Sequence, residues 1–292
     1  MIPSRRHFLA GGAALAVAPR LSAAANLTKV WVQVTGGNYS YLPSLQAMFE
    51  DPIFIELEVI PCDHPQTFGN LFPAQPAAAA RGGAVAAPPS STNMTRRGAV
   101  GGAPALMVEP RDWAWEPSGG RPHPGFDVQV LIDQLDWPEV SRKNAQRAVE
   151  DGRGFVVIHQ ALGDNQDWPW WREEVTGGFL ALNQAGQIKK TAVTSPAALD
   201  IRPAGKHPIL RDIGPMQLAG EEAYRGMWQS PRITPLLQTA SPASDRTVAW
   251  IGPHPKARVV CIQPGARRAT HRNPEFRKLV RNAVLWCAGR LA

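Results

Sequence analysis

Gly152-Arg153-Gly154-Phe155-Val156-Val157-Ile158-His159-Gln160-Ala161 is the stretch whose reading decides the fold. Glycine opens a tight turn, four apolar residues follow without a polar break, and a histidine stands where the run ends. A short, unbroken apolar run behind a turn signal reads as a strand buried on both faces, as in a parallel sheet. Ligands of open α/β sheets bind outside the carboxyl ends of the strands. His159 is therefore placed for chemistry or for binding, with a purely structural hydrogen bond at a strand end as the alternative.

Working outward, Pro138 sits at a helix start and Gly152 closes that helix. Asp127 to Ile132 is a second buried-type strand. Nearer the amino terminus, Lys29 to Val34 reads as a strand ending in Thr35-Gly36-Gly37, followed by a helix over 41–50 and a strand from Ile53 to Ile60. Beyond His159 come Trp168-Pro169-Trp170-Trp171-Arg172-Glu173-Glu174 and a Gly177-Gly178 turn. Residues 187–202 look like irregular strands, and an excursion at His207-Pro208 leads to Glu221-Glu222-Ala223-Tyr224. Thr247 to Ile251 and Arg258 to Ile262 are two further strands. The last helix is the clearest element. Asn273 caps it, Pro274 takes its first position, and Phe276, Leu279, Val280, Ala283, Val284 and Cys287 make one apolar stripe. Strands alternating with helices argue for a parallel α/β sheet covered on both faces.

Two segments stand apart. Ser4-Arg5-Arg6-His7-Phe8-Leu9 is a twin-arginine pattern, followed by an apolar stretch to Ala18 and a small-residue site at Ala23-Ala24-Ala25. Residues 1–25 are thus expected to be an export signal that directs the chain to the periplasm. Residues 26–292 then form a single α/β domain with no stable membrane association. Residues 73–125 are dominated by Pro, Ala and Gly, lack periodicity, and read as a low-complexity insertion.

The net charge of the chain is +7. The signal holds three arginines and no acid, so its removal lowers this to a mild +4. The bases are scattered, which argues against nucleic acid as a partner. Three cysteines, Cys62, Cys261 and Cys287, make no disulfide framework, although one pairing is open. Cys261 and Cys287 read as buried small hydrophobes. No CxxC or HExxH spacing occurs, and neither a metal nor a cofactor is expected.

Taken in order, several landmarks resemble the ThuA-like (trehalose-utilisation) family. They are Val34-Thr35-Gly36-Gly37, Gly152 to Ala161, Trp168 to Phe179, His207-Pro208-Ile209, Glu221 to Tyr224, and Arg258 through Gly289. The resemblance implies the fold of class I glutamine amidotransferases, a flavodoxin-like three-layer sandwich with a mostly parallel sheet. In those enzymes a cysteine nucleophile stands on the sharp turn after a central strand. Here His159 takes that place, which argues against amide hydrolysis by a thiolate. Asn38, Asn183 and Ala266 stand where the family often has histidine.

The candidate catalytic pair is His159, an imidazole that could act as general acid or base, and Glu222, which can orient it, accept a proton or bind a hydroxyl. Glu221 beside it reads as an exposed acid. Candidate substrate-binding residues are Thr35, Gly36, Gly37 and Asn38 on the first loop, Gln160, Trp168 as a stacking surface, and Tyr224. A bare turn, core tryptophans and a packing tyrosine are the respective alternatives. His207 reads as a turn residue, and His254 and His271 as surface loops. The resemblance implies a small-molecule carbohydrate partner and acid/base chemistry on a disaccharide or keto-sugar. A non-catalytic sugar-binding or partner-binding protein is the alternative.

Overall fold

The computed structural model describes residues 27–34, 42–61, 126–132, 137, 139–163, 165–184 and 188–292. The expected export signal at 1–25, the Thr35-Gly36-Gly37-Asn38 loop and the expected insertion at 73–125 lie outside the described residues. Strands β1 (Thr28–Val34), β2 (Leu57–Pro61), β3 (Val128–Ile132), β4 (Gly154–Ile158) and β11 (Val259–Ile262) form one half of a nine-stranded sheet. Their order is β2-β1-β3-β4-β11, and every neighbouring pair among them is parallel. β3, β4 and β11 are buried at every position, as their unbroken apolar runs require.

The other half corrects the expected mostly parallel sheet. β10 (Thr247–Ile251), β9 (Thr234–Thr239), β6 (Ala192–Pro203) and β7 (Met216–Arg225) continue from β11 in that order, and all four junctions are antiparallel. The sheet is mixed, with four parallel and four antiparallel neighbouring pairs. The physical reason is connection length. Parallel neighbours need a crossover of a dozen or more residues, whereas tight loops join antiparallel ones. Only Gly252 to Arg258 separates β10 from β11, and among the described residues no α-helix lies between β4 and β11. The expected irregular strands over 187–202 are one twelve-residue strand, β6, with register breaks between Thr194 and Leu199. β7 and β9 have no counterpart in the sequence reading. The expected strand from Ile53 begins later: Asp51 caps a 3-10 turn at Pro52–Phe54, and β2 starts only at Leu57.

The α-helices among the described residues are α1 (Leu42–Phe49), α2 (Glu139–Glu150), α3 (Arg268–Arg272) and α4 (Pro274–Cys287). The α4 cap is as expected: the Asn273 side chain accepts from the N–H groups of Glu275 at 2.9 Å and Phe276 at 3.2 Å. Its whole apolar stripe is buried. α2 ends through Gly152, whose φ of 79° is the left-handed conformation that favours glycine. Cys261 and Cys287 are free and buried, and burial pushes both thiols up, away from the reactive thiolate. A two-stranded ribbon, β5 (Gly178–Phe179) with β8 (Trp228–Gln229), stands beside the main sheet.

Candidate functional site

β4 delivers His159 at its carboxyl end, as the first residue of a 3-10 turn over His159–Gly163. Its φ is 58°, a conformation that few residues other than glycine adopt. Such backbone strain persists only where the surroundings over-determine it, and it clusters at functional sites. The close neighbour here is Gly265, where a Cβ would come within 2.8 Å of Ile158 Cγ2 and 3.3 Å of His159 Cβ. A glycine is needed there to let the next loop lie against the bend.

The His159 ring is 3% exposed. Its Nδ1 lies 3.2 Å from the backbone oxygen of Gln263. A carbonyl oxygen only accepts, so the neutral ring carries its proton on Nδ1 and keeps a lone pair on Nε2. Tyr224 from β7 packs its ring against the imidazole, centroids 5.3 Å apart and planes 19° apart. Its hydroxyl lies 3.2 Å from Nε2 and 3.3 Å from Nδ1. An oxygen equidistant from two diverging nitrogens lines up with neither. Its directed bond goes to Glu222, where the hydroxyl donates to Oε1 at 2.7 Å. That same Oε1 stands 3.9 Å from His159 Nε2, and the Glu222 side chain is 20% exposed. The structure thus brings His159, Glu222 and Tyr224 together, with Glu222 on the open side.

Gln263, which the sequence reading did not single out, ties this group down. Its buried amide donates to the Tyr224 backbone oxygen at 2.9 Å and accepts from the Ser244 hydroxyl at 3.0 Å. Gln160 follows His159 in the 3-10 turn, half-buried. Trp168 stands in a cluster of indoles instead, 5.8 Å from Trp171, 5.1 Å from Trp170 and 6.4 Å from Trp137. The Arg142 guanidinium covers its ring at 5.7 Å. Thr35, Gly36, Gly37 and Asn38 lie outside the described residues, and Asn183 is exposed.

Three expectations about charged neighbours are corrected. Glu221 is the buried acid of its pair, with no exposed surface. His271 is buried, accepting at Nδ1 from Ser44 Oγ at 2.8 Å and donating from Nε2 to the Gly265 oxygen at 2.9 Å. Burial pushes its imidazole down to about 4, so it is neutral at pH 7. His254 is half-buried, its Nδ1 accepting from the N–H groups of Lys256 and Ala257. His207 is the expected turn residue, capping the 3-10 turn over Pro208–Leu210.

Among the described residues, no three His, Cys, Asp or Glu side chains converge to hold a metal. None of the described helices is long and apolar enough to cross a membrane. A groove of about 1150 Å³ lies elsewhere, on the outer face of β6, β7 and β9, and its walls include none of His159, Glu222 or Tyr224. Solvated polar side chains such as Asp200, Arg202 and Gln217 line it, as on any antiparallel sheet with one wet face. The buried, strained histidine is the better candidate for chemistry.

Among the solved structures that resemble this one are two ThuA-like proteins. A ThuA-like protein from Parabacteroides merdae matches with a TM-score of 0.60 at 14% identity, over 91% of this chain and 92% of that one. A ThuA-like protein from Bacteroides uniformis matches with a TM-score of 0.53 at 12% identity, over 89% and 91%. At such identities the likeness concerns the fold. No curated protein matches the sequence. The family model described as ThuA, trehalose utilisation, matches residues 125–287, which is more than half of the chain and includes His159, Glu222 and Tyr224. The chain belongs to the ThuA trehalose-utilisation family.

Proposed function

We propose that this is an exported protein of carbohydrate metabolism that acts on a disaccharide or keto-sugar by acid/base chemistry. The observation that carries the reading is His159, held at φ 58° where β4 ends, with Nδ1 turned to the Gln263 carbonyl and Glu222 beside Nε2. In this reading Nε2 takes a proton from a substrate hydroxyl or from a carbon next to a carbonyl. The imidazolium so formed faces Glu222 Oε1, which offsets its charge and is itself held by the Tyr224 hydroxyl. Return of the proton to the product restores the neutral ring. Thr35 to Asn38 and Gln160 are proposed to hold sugar hydroxyls. The strand order β2-β1-β3-β4-β11 supports reading the parallel half as flavodoxin-like. The twin-arginine segment supports a periplasmic location.

Ala266 favours a second reading, a sugar-binding protein without turnover. It places a methyl group where the family often has histidine. Calorimetric titration with trehalose, other disaccharides and their keto forms, followed by product analysis, separates the two. Binding with turnover that His159→Asn abolishes supports the enzyme. Saturable binding without product supports the binder, and absence of both sinks the carbohydrate reading. Replacing Arg5 and Arg6 by lysine tests export, which should fail.

A further inference from the structure

The two adjacent acids of β7 point to different tasks. Glu222 meets Tyr224 and His159, whereas Glu221 turns inward and accepts from three donors. These are the Ala266 N–H at 3.0 Å, the Glu222 N–H at 2.9 Å and the Thr270 hydroxyl. A carboxylate buried without donors would be strongly unfavourable, and these partners answer that cost. Two of the three lie 45 and 49 residues away, on the loop between β11 and α3 and on α3 itself.

The Ala266 N–H and the Gly265 carbonyl belong to one peptide unit. Glu221 holds its nitrogen end, and His271 Nε2 donates to its oxygen end at 2.9 Å. Gly265 has φ 148°, a conformation from which glycine can rotate at little cost. The peptide therefore depends on its two clamps to stay in one orientation. The same loop carries the Gln263 carbonyl that receives the His159 Nδ1 proton, and Gly265 itself lies against the His159 Cβ.

We infer that Glu221 is a positioning residue: by clamping the Gly265–Ala266 peptide it keeps the Gln263 carbonyl under His159 and so leaves Nε2, not Nδ1, free for substrate. The inference rests on the proposed role of His159 for its bearing on catalysis, but not for its geometry. Its test is nitrogen-15 NMR of the His159 ring in the full chain, in Glu221→Ala, Glu221→Gln and Thr270→Val. The wild type should show a protonated Nδ1 and a bare Nε2. In Glu221→Ala the two signals should converge as the other tautomer becomes populated. Glu221→Gln keeps one acceptor oxygen and should restore part of the wild-type pattern. Thr270→Val removes one donor while preserving shape, and should give a smaller change of the same sign. If Glu221→Ala does not fold, the other two variants carry the test. An unchanged ring in the folded variants overturns the assignment. On the same samples, Glu221→Ala should lower kcat by about 10²-fold with KM nearly unchanged, the loss expected from a misplacement of about 1 Å. If the wild type turns over no sugar while the tautomer still responds, the clamp stands and the acid/base reading falls.

Discussion

The two halves of the sheet solve different problems. The parallel half is buried at every position of β3, β4 and β11, and its packing is tight enough that a Cβ on Gly154 would lie 2.7 Å from Cys287 Cβ. In the antiparallel half, buried and exposed residues alternate along the second half of β6 and much of β7. One half supplies a rigid floor that can hold His159 in a strained conformation. The other supplies reach. In the strand order β7 is an outermost strand, and the four strands β11, β10, β9 and β6 lie between it and β4. Yet Tyr224 and Glu222 arrive at His159. The register breaks of β6 and the left-handed Gly220 of β7 allow the ribbon to curl back, as bulges do by adding bend and twist. A site at the seam needs both properties, and neither half has both.

The sharpest way to break the comparison is to remove the group that the rigid half presents. His159→Asn should cost about 10²–10⁴-fold in turnover, the usual contribution of a placed acid or base, while leaving the thermal midpoint nearly unchanged. A large stability loss with intact turnover would make His159 a structural residue. The seam itself is tested by acid. The fold holds His271 neutral with a pKa of about 4, whereas the unfolded chain takes up the proton near 6.5. The unfolded state therefore binds more protons between those values, and stability falls as pH drops through that window. The full contribution is present above about pH 6.5 and about 3 kcal/mol is lost by pH 4. Urea midpoints measured across this range should show the slope, and His271→Gln should flatten it.

The halves also differ in how they take an added methyl group. Gly154→Ala pushes a Cβ into the Cys287 Cβ and backbone, so it should destabilise by about 1–3 kcal/mol through overpacking. Gly220→Ala meets no atom within 4 Å and suffers only the strain of φ 72°, about 1 kcal/mol. Chemical denaturation of both variants checks the order. Equal losses would mean that the outer ribbon is as closely packed as the floor.

What could be read beforehand follows the same division. β4 and α4 are legible because their signals are local: an unbroken apolar run behind a turn, and a cap, a proline and a stripe at helical spacing. β7 is not, because Met216 to Arg225 includes a glycine and two adjacent acids, which disfavour a strand on their own. It becomes a strand because β6 pairs with it and Glu221 finds donors far along the chain. His271 between threonine and arginine reads as a surface loop for the same reason, since its partners Ser44 and Gly265 are not adjacent to it in the sequence. His159, Glu222 and Tyr224 were each identifiable. That Glu221 is the hidden member of its pair, and that Trp168 sits among other indoles, depend on tertiary contacts that no spacing announces.

The pairing of β4 with β11 has a consequence for how the chain is born. Phe155 stands opposite Val259, and everything from the 3-10 turn to β10 is a long excursion between two strands that lie side by side. A ribosome emits β4 well before its permanent neighbour β11 and the α4 stripe. β4 therefore waits with one edge open until β11 has been made. Only when β11 fills that edge does Gln263, the residue that follows it, arrive to meet His159. The carbonyl that orients His159 is thus in place only after β11 has been made and paired.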